Sequence, residues 1–242
     1  MKIKEFFIKA IRKYIFNERW RCNACGKEIF DDGYFCEDCK SKLPYILGNI
    51  CNHCGRVLIN AQEYCSTCRE TMTDVDKARS VFVYKDQVVG LIHKLKFGNG
   101  GYLSRVFASE MYGLYLKNRF DADILTFVPM TDEAVKRRGY NQSRLMAEEL
   151  GKLINLPVKA LAIKKEETKK QEGLSRKERL VNLENAFMVD QRKFIKDKKI
   201  MIIDDVSTTG ATVQALAKRL KKAGASAVYL LSVANVPPCD GY

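Results

Sequence analysis

Beyond residue 78 the chain alternates between short apolar runs and longer segments with apolar residues on one face. Apolar residues recur every three or four positions in the longer segments, which predicts helices over 87–97, 103–118, 143–154 and 212–223. The short runs predict strands over 80–84, 123–128, 199–204 and 226–234. The last two strands are almost continuously apolar, as expected for parallel strands covered on both faces. The pattern therefore predicts an α/β domain with an open, mostly parallel sheet and helices on both faces.

The first 18 residues follow a different pattern. Lysines and arginines interrupt an apolar face made of Ile3, Phe6, Phe7, Ala10, Ile11, Tyr14 and Ile15. This spacing predicts an amphipathic N-terminal helix over 1–18, which either packs on the rest of the protein or lies on a membrane surface. The charges are too frequent for a signal peptide, and no apolar run reaches the roughly 20 residues of a membrane span. We therefore expect a cytoplasmic protein that is not integral to a membrane.

Eight of the nine cysteines form four Cys-x-x-Cys pairs within a segment that repeats after 29 residues. The pairs are Cys22/Cys25, Cys36/Cys39, Cys51/Cys54 and Cys65/Cys68. Two such pairs complete the four-sulfur shell that structural zinc prefers, and this usage is typical of a reducing compartment. The spacing thus predicts a double zinc ribbon over 19–72 that holds about two Zn²⁺. The repeat favours sequential pairing, and an interleaved cross-brace is the alternative.

The chain is basic, with 42 lysines and arginines against 29 acidic residues and a formal charge of +13. Each zinc–tetrathiolate centre carries about −2, which lowers the balance to about +9. A positive surface suits nucleic acid, phosphates or anionic lipid. The alternative is a lysine-rich solvated surface without a partner.

The segment 200–224 carries the clearest chemistry. A buried strand is predicted to end at Asp204-Asp205, and a polar loop then leads into a helix. In open α/β sheets, ligands bind beyond the carboxyl ends of the strands, and a helix N-terminus suits a phosphate. Two carboxylates can accept hydrogen bonds from sugar hydroxyls or hold Mg²⁺ through water. The candidate phosphate cradle comprises Ser207, Thr208, Thr209, Gly210, Ala211 and Thr212. The alternative is that Asp205 and the Ser/Thr cluster merely cap the helix.

Several segments together resemble the ComF family, which includes the ComFC and GntX proteins. Residues 202–212 read Ile-Ile-Asp-Asp-Val-Ser-Thr-Thr-Gly-Ala-Thr and resemble the phosphoribosyl-pyrophosphate motif of type I phosphoribosyltransferases. The other matching segments are 91–97, 128–130 with 137–143, and a scattered set of Thr168, Gln171, Leu174, Ser175, Arg179, Asn182, Ala186 and Phe187.

The resemblance implies a type I phosphoribosyltransferase-like domain over 78–242 that binds phosphoribosyl pyrophosphate with Mg²⁺. It implies that Asp204 and Asp205 contact the ribose hydroxyls and offset the positive charge that builds on the ring if pyrophosphate leaves. It also implies that residues 207–212 hold the 5-phosphate and that Arg137 and Arg138 lie near the pyrophosphate. Members of the family are linked to natural competence, in which single-stranded DNA enters the cytoplasm and a helicase acts nearby.

Three functions are compatible with these features. The favoured one is a phosphoribosyl-pyrophosphate-binding protein that acts in the uptake and handling of single-stranded DNA. The others are an active nucleobase- or nucleotide-salvage phosphoribosyltransferase and a non-enzymatic zinc-ribbon adaptor for a helicase. Residues 164–170 carry lysines and two glutamates where family members often carry arginines. Because lysine lacks the bidentate fork of arginine, the sequence leaves open whether the ligand is turned over.

Overall fold

The computed structural model describes residues 21–30, 33–58, 62–70, 74–165, 186–189 and 191–236. The chain divides into two compact units, Met1–Leu43 and Pro44–Tyr242. The N-terminal helix predicted for 1–18 lies outside the described residues, as do the matching positions from Thr168 to Asn182. Within the described part of the chain, no helix is both long enough and apolar enough to cross a membrane.

The described part of the smaller unit is one cysteine-bearing repeat. Arg21 and Glu28 form an antiparallel bridge around a tight turn, in which Gly26 takes a positive φ of 76° and donates to the Cys22 carbonyl at 2.8 Å. Glycine adopts this conformation without the steric cost that a Cβ would bring. Helix α1, Glu37–Lys42, follows directly after Cys36. The repeat therefore presents its two cysteine pairs on a turn and on a helix start.

The larger unit opens with a second copy of the same repeat. Ile50 and Val57 form the antiparallel bridge, and helix α2, Ser66–Glu70, begins directly after Cys65 and carries Cys68. A Cβ at Gly55 would lie 2.6 Å from the carbonyl oxygen of Ala78. Only glycine therefore allows this turn to approach the first strand of the α/β body so closely.

The described strands form one four-stranded parallel sheet and one two-stranded antiparallel sheet. They are β1 (Lys77–Val83), β2 (Ile124–Phe127), β3 (Ala162–Lys164), β4 (Phe187–Val189), β5 (Lys199–Ser207) and β6 (Ala227–Asn235). The large sheet has the order β1-β6-β5-β2, with every neighbouring pair parallel, and β3 pairs with β4. The four predicted strands all form, and the predicted parallel sheet is confirmed.

Helices cover both faces of this sheet. The helices described in the α/β body are α3 (Asp86–Phe97), α4 (Leu103–Lys117), α5 (Asp132–Arg138), α6 (Gln142–Ile154) and α7 (Ala211–Lys222), with a short 3-10 turn at Arg192–Phe194, and the sheet is covered by α4, α6 and α7. One face packs against α7 through the buried side chains of Ile200, Ile202, Val228 and Leu230. Helices α4 and α6 contact the sheet as well, α4 through β1 and β6 and α6 through β2 and β5. The predicted α/β architecture is therefore present.

Three local features differ from the sequence-based prediction. Helix α5 was not predicted, because it has no buried residue and hence no apolar face to reveal it. Strands β3 and β4 are only three residues long, which is too short for a periodic pattern. Strand β5 runs to Ser207 rather than ending at Asp204-Asp205, since its pairing with β6 continues to Asn235.

Candidate functional site

The eight paired cysteines gather into two clusters. The smaller unit holds Cys22, Cys25, Cys36 and Cys39, and the larger unit holds Cys51, Cys54, Cys65 and Cys68. Within each cluster, all four sulfur atoms lie within 4.8 Å of one another. The pairing is therefore sequential, as the repeat favours, and the interleaved cross-brace is not formed.

The sulfur spacing fits zinc. A tetrahedral centre with Zn–S bonds of about 2.3 Å has sulfur atoms about 3.8 Å apart. The sulfurs of Cys25 and Cys36 are 3.8 Å apart, and those of Cys54 and Cys65 are 3.7 Å apart. A disulfide would require about 2.05 Å. Four sulfurs around one ion leave no open coordination position, so each cluster is suited to a structural zinc ion.

The protonation of the thiols also points to a cation. Burial acts to raise the pKa of Cys22, but backbone hydrogen bonds outweigh it and lower the pKa to about 6. Burial and the neighbouring thiols raise the pKa of Cys39 to about 12. The second cluster shows the same division, with pKa values of about 7 for Cys51 and about 12 for Cys54. Four thiolates cannot share so small a space without a positive charge among them, and a zinc ion supplies it.

Arg79 joins the second cysteine cluster to the sheet. Its guanidinium donates to the carbonyls of Asn52 at 3.1 Å and Ala78 at 2.7 Å. Its Nε donates to Asn118 Oδ1 at 2.9 Å, at the end of α4. The backbone amide of Ala78 in turn donates to the carbonyl of His53 at 2.7 Å. Burial lowers the pKa of Arg79, and the charge of the nearby thiolates opposes that effect. The cation therefore serves both as a hydrogen-bond donor and as a counter-charge to the cluster.

Two buried carboxylates lie near the carboxyl end of β5. Asp204 is 9% exposed and Asp205 is 5% exposed. Asp204 Oδ1 accepts from Ser143 Oγ at 3.2 Å and from the backbone amide of Asp205 at 2.9 Å. Asp205 Oδ2 accepts from Gln142 Nε2 at 2.8 Å and lies 3.1 Å from Lys96 Nζ. The pair is thus held by side chains from the start of α6 and the end of α3.

The local sequence explains how α6 reaches the carboxylates. Gly139 ends α5 with a positive φ of 88°, which turns the chain sharply. Asn141 then caps α6, since its Oδ1 accepts from the amide of Arg144 at 3.1 Å and its Nδ2 donates to the carbonyl of Val128 at 3.0 Å. An asparagine is among the strongest N-cap residues. The next two residues, Gln142 and Ser143, are thereby directed at Asp205 and Asp204.

The loop between β5 and α7 ends at a glycine, directly before the first residue of the helix. Gly210 is the N-cap residue, has a positive φ of 76° and offers no side chain to the first amides of α7. Thr209 Oγ1 accepts from the amide of Ala211 at 3.3 Å, while Thr208 is exposed and Ser207 is buried. A helix N-terminus of this kind suits an anion. The helix-capping alternative therefore applies to Thr209 but not to Asp205, whose carboxylate contacts α3 and α6.

The two candidate arginines at the end of α5 lie in different environments. Arg137 is exposed and its nearest carboxylate is Glu133, at 4.0 Å. Arg138 donates to Gln142 Oε1 at 2.6 Å, and its guanidinium lies 5.0 Å from the centroid of the Phe97 ring. Because Gln142 also donates to Asp205, a single side chain links Arg138 to the carboxylate pair. Arg138 is therefore next to the pair, whereas Arg137 faces solvent.

Asp204 is the member of the pair whose pKa is raised by its surroundings. Burial and the adjacent charge of Asp205 raise its pKa to about 7. The amide of Asp205, the hydroxyl of Ser143 and the charge of Lys96 act in the opposite direction. Carboxylates with such raised pKa values are concentrated at functional sites.

Sequence reasoning missed three polar side chains at this site, namely Lys96, Gln142 and Ser143. All three lie inside the segments that carry the resemblance, but nothing in their spacing predicted a role for them. The two α6 residues meet carboxylates that are 63 and 61 positions away along the chain. Such contacts arise only once α3 and α6 pack beside the end of β5, so no local pattern reveals them.

Comparisons with known proteins agree with this architecture. Family models match the double zinc ribbon domain over residues 13–69 and the phosphoribosyl transferase domain over residues 134–239. Competence protein F of Haemophilus influenzae is 29% identical over 88% of this chain and 90% of its own length. Competence protein ComFC of Bacillus subtilis is 30% identical over 81% of each chain. DNA utilization protein YhgH of Escherichia coli is 33% identical over 60% of this chain and 66% of its own length.

The agreement extends over both parts of the molecule, the cysteine clusters and the parallel sheet with its carboxylate pair. The chain therefore belongs to the ComF family of competence and DNA-utilization proteins, with a double zinc ribbon ahead of a type I phosphoribosyltransferase fold.

Proposed function

We propose that this protein binds a ribose phosphate of the phosphoribosyl pyrophosphate type and acts in the uptake and handling of single-stranded DNA. The observation that carries the proposal is the buried pair Asp204 and Asp205, placed directly before the glycine-capped start of α7. The competence and DNA-utilization names of the relatives, together with the net positive charge, support the role with DNA.

The two halves of the site match the two ends of such a ligand. Ribose hydroxyls would donate hydrogen bonds to the carboxylates of Asp204 and Asp205. The 5-phosphate would accept hydrogen bonds from the loop 207–212 and from the first amides of α7. A sugar phosphate spans both groups, whereas a free phosphate or a free sugar would use only one of them.

The donors at the pair are of the type that Mg²⁺ prefers. This ion is usually held by one or two carboxylates together with the phosphates of the substrate, and it keeps several waters. Asp204 and Asp205 supply such oxygens, and Mg²⁺ that a pyrophosphate recruits would be held there chiefly through Asp204, whose contacts with described residues both fall on Oδ1. When bound, the ion would neutralise charge on the leaving group.

The same residues could support transfer to an acceptor. Breaking the bond between the anomeric carbon and the pyrophosphate oxygen builds positive charge on the ribose ring, and nearby carboxylates offset that charge. Arg138, linked to Asp205 through Gln142, is the better placed of the two candidate arginines to meet the pyrophosphate. With an acceptor base, the protein would act as a salvage-type transferase; without one, the site would serve as a sensor or anchor.

Calorimetric titration with phosphoribosyl pyrophosphate and Mg²⁺ tests the proposal. Asp205→Asn keeps the shape but removes the charge, and charge-assisted hydrogen bonds contribute about 1.5–3 kcal/mol each. Affinity should therefore fall about tenfold to a hundredfold. Thr209→Val should weaken only the phosphate end, and Asp132→Asn, on the exposed helix α5, is the matched control and should bind as wild type does.

Thermal unfolding of all four proteins separates binding from folding. Equal affinity of wild type and both site variants would contradict the assignment of the site. Unfolding of Asp205→Asn would mean that the carboxylate serves the core instead of a ligand.

A further inference from the structure

Only one of the two lysines near the end of α3 reaches the carboxylate pair. Lys96 places its ammonium 3.1 Å from Asp205 Oδ2, and the two side chains are 24% and 7% exposed. Lys94, two positions earlier, is exposed and places its ammonium 5.2 Å from the centroid of the Tyr102 ring. The helix therefore delivers one cation selectively to a nearly buried carboxylate.

Asp205 has little acceptor capacity left for a ligand. A carboxylate offers about four acceptor positions. Oδ2 already serves Lys96 and Gln142, and Oδ1 accepts from the amide of Val206 at 2.7 Å. A ligand hydroxyl or a metal-bound water would find about one open position unless Lys96 or Gln142 moves.

Asp204 differs in this respect. Its contacts with described residues, from Ser143 and from the amide of Asp205, both fall on Oδ1. The second oxygen, Oδ2, is therefore the freer carboxylate oxygen of the pair. A ribose hydroxyl meets less competition there than at Asp205.

The ammonium also changes what a divalent ion would encounter. An ion at Asp205 Oδ2 would share that oxygen with Lys96, and two cations repel each other strongly where water is largely excluded. At the same time, Lys96 already supplies positive charge beside two carboxylates that would otherwise repel a phosphate ester. The charge that a metal ion commonly contributes at such a site is thus partly provided by the protein.

We propose, resting on the ribose-phosphate function above, that Lys96 is a built-in cation that takes the place of a divalent ion at Asp205. A ribose monophosphate then binds without Mg²⁺. The metal ion matters only for ligands whose own pyrophosphate recruits it. Lys96 is therefore the residue that determines which phosphate esters need a metal at this site.

Titration with ribose 5-phosphate, with and without Mg²⁺, tests this role. The metal-free buffer is prepared with a chelating resin and contains no EDTA, which would also remove zinc from the cysteine clusters. Wild-type affinity should change by less than about twofold when Mg²⁺ is added. Lys96→Met should bind about tenfold or more weakly without Mg²⁺, and the ion should restore most of that loss.

Two further variants make the result specific. Lys94→Met removes the same charge from the same helix, away from the carboxylates, and should behave as wild type does. Lys96→Arg keeps a cation beside Asp205 and should remain independent of Mg²⁺. If Lys96→Met does not fold, Lys96→Gln, which keeps a hydrogen-bond donor for Asp205 but removes the charge, takes its place in the same titration and should show the same dependence on Mg²⁺.

The outcomes separate this inference from the function on which it rests. If wild type needs Mg²⁺ as strongly as Lys96→Met does, ribose-phosphate binding stands and the role of Lys96 is wrong. If Lys94→Met loses as much affinity for ribose 5-phosphate as Lys96→Met does, the effect comes from general surface charge and the role of Lys96 is also wrong. If wild type binds neither ribose 5-phosphate nor phosphoribosyl pyrophosphate, with or without Mg²⁺, both proposals fail.

Discussion

Replacing Arg79 with methionine should destabilise the larger unit at the joint between its cysteine cluster and β1. Methionine fills a similar space with a flexible apolar chain, so packing is largely kept. Arg79, however, is only 7% exposed, and its guanidinium donates at 2.7, 2.9 and 3.1 Å to Ala78, Asn118 and Asn52. The substitution removes these three hydrogen bonds and a longer one to the His53 carbonyl at 3.5 Å, and it leaves their acceptors without this donor.

The magnitude follows from these contacts. A hydrogen bond to a charged group contributes about 1.5–3 kcal/mol. The full sum for three bonds is too large, because the bonds to Asn52 and Asn118 are only partly buried and water can replace the lost donor there. The bond to the Ala78 carbonyl is buried and should count fully. We therefore expect the free energy of unfolding to fall by about 3 kcal/mol, in the range of a broken buried charge partnership.

Urea unfolding of the zinc-loaded protein, followed by far-ultraviolet circular dichroism, measures this change as a shift in midpoint at constant slope. Arg56→Met is the matched control. Arg56 lies in the same repeat, and its buried Nε has no hydrogen-bond partner among the described residues. Its replacement should cost less than about 1 kcal/mol, as for substitutions that break no buried network.

A loss below about 1 kcal/mol for Arg79→Met, or one no larger than that of Arg56→Met, would refute the reasoning. The second repeat would then be attached to the sheet chiefly by the close approach of its backbone at Gly55. A zinc-release assay with a competing dye adds a second readout, because the counter-charge to the thiolates is also lost. Faster release of one zinc ion from Arg79→Met is the expected result.

Three further predictions address the metal, the DNA and the buried carboxylate. Metal analysis should find about two zinc ions per chain. Cys22→Ser should lose one of them and leave the unfolding temperature of the larger unit unchanged, whereas Cys51→Ser should lower that temperature. Binding of a single-stranded oligonucleotide should weaken with salt at a log–log slope of about −0.7 per phosphate contacted, and a flat response would exclude an electrostatic mode. Because burial and Asp205 raise the pKa of Asp204 from 3.8 to about 7, the folded chain binds a proton there that the unfolded chain releases, so stability should fall as pH rises through that window. When urea unfolding is measured at several pH values in this range, the free energy of unfolding should change less with pH for Asp204→Asn than for wild type.

The elements that the sequence predicted are those with a repeating pattern or a fixed spacing. Four strands and four helices formed because their apolar periodicity reflects burial on a face. Helix α5 and the β3–β4 pair lacked such a pattern and were missed. The extension of β5 to Ser207 depends on its pairing with β6, and the sequence of β5 alone does not show how far that pairing continues.

The functional residues divide in the same way. The Cys-x-x-Cys pairs and the adjacent Asp204 and Asp205 are short-range features, because the residues of each pair are close together in the chain. The partners of Asp205 come instead from two other helices, and nothing in the spacing of Lys94 and Lys96 indicates which lysine reaches it.

The sequence by itself determined the fold class, the eight candidate zinc ligands and the location of the carboxylate pair, since periodicity and local spacing encode burial and tight turns. Only the tertiary structure decided that zinc ligation is sequential, that Arg79 ties the second cluster to the sheet, and that Lys96 and Gln142 occupy Asp205. These features join segments far apart in the chain, and their geometry exists only after helices and strands have packed.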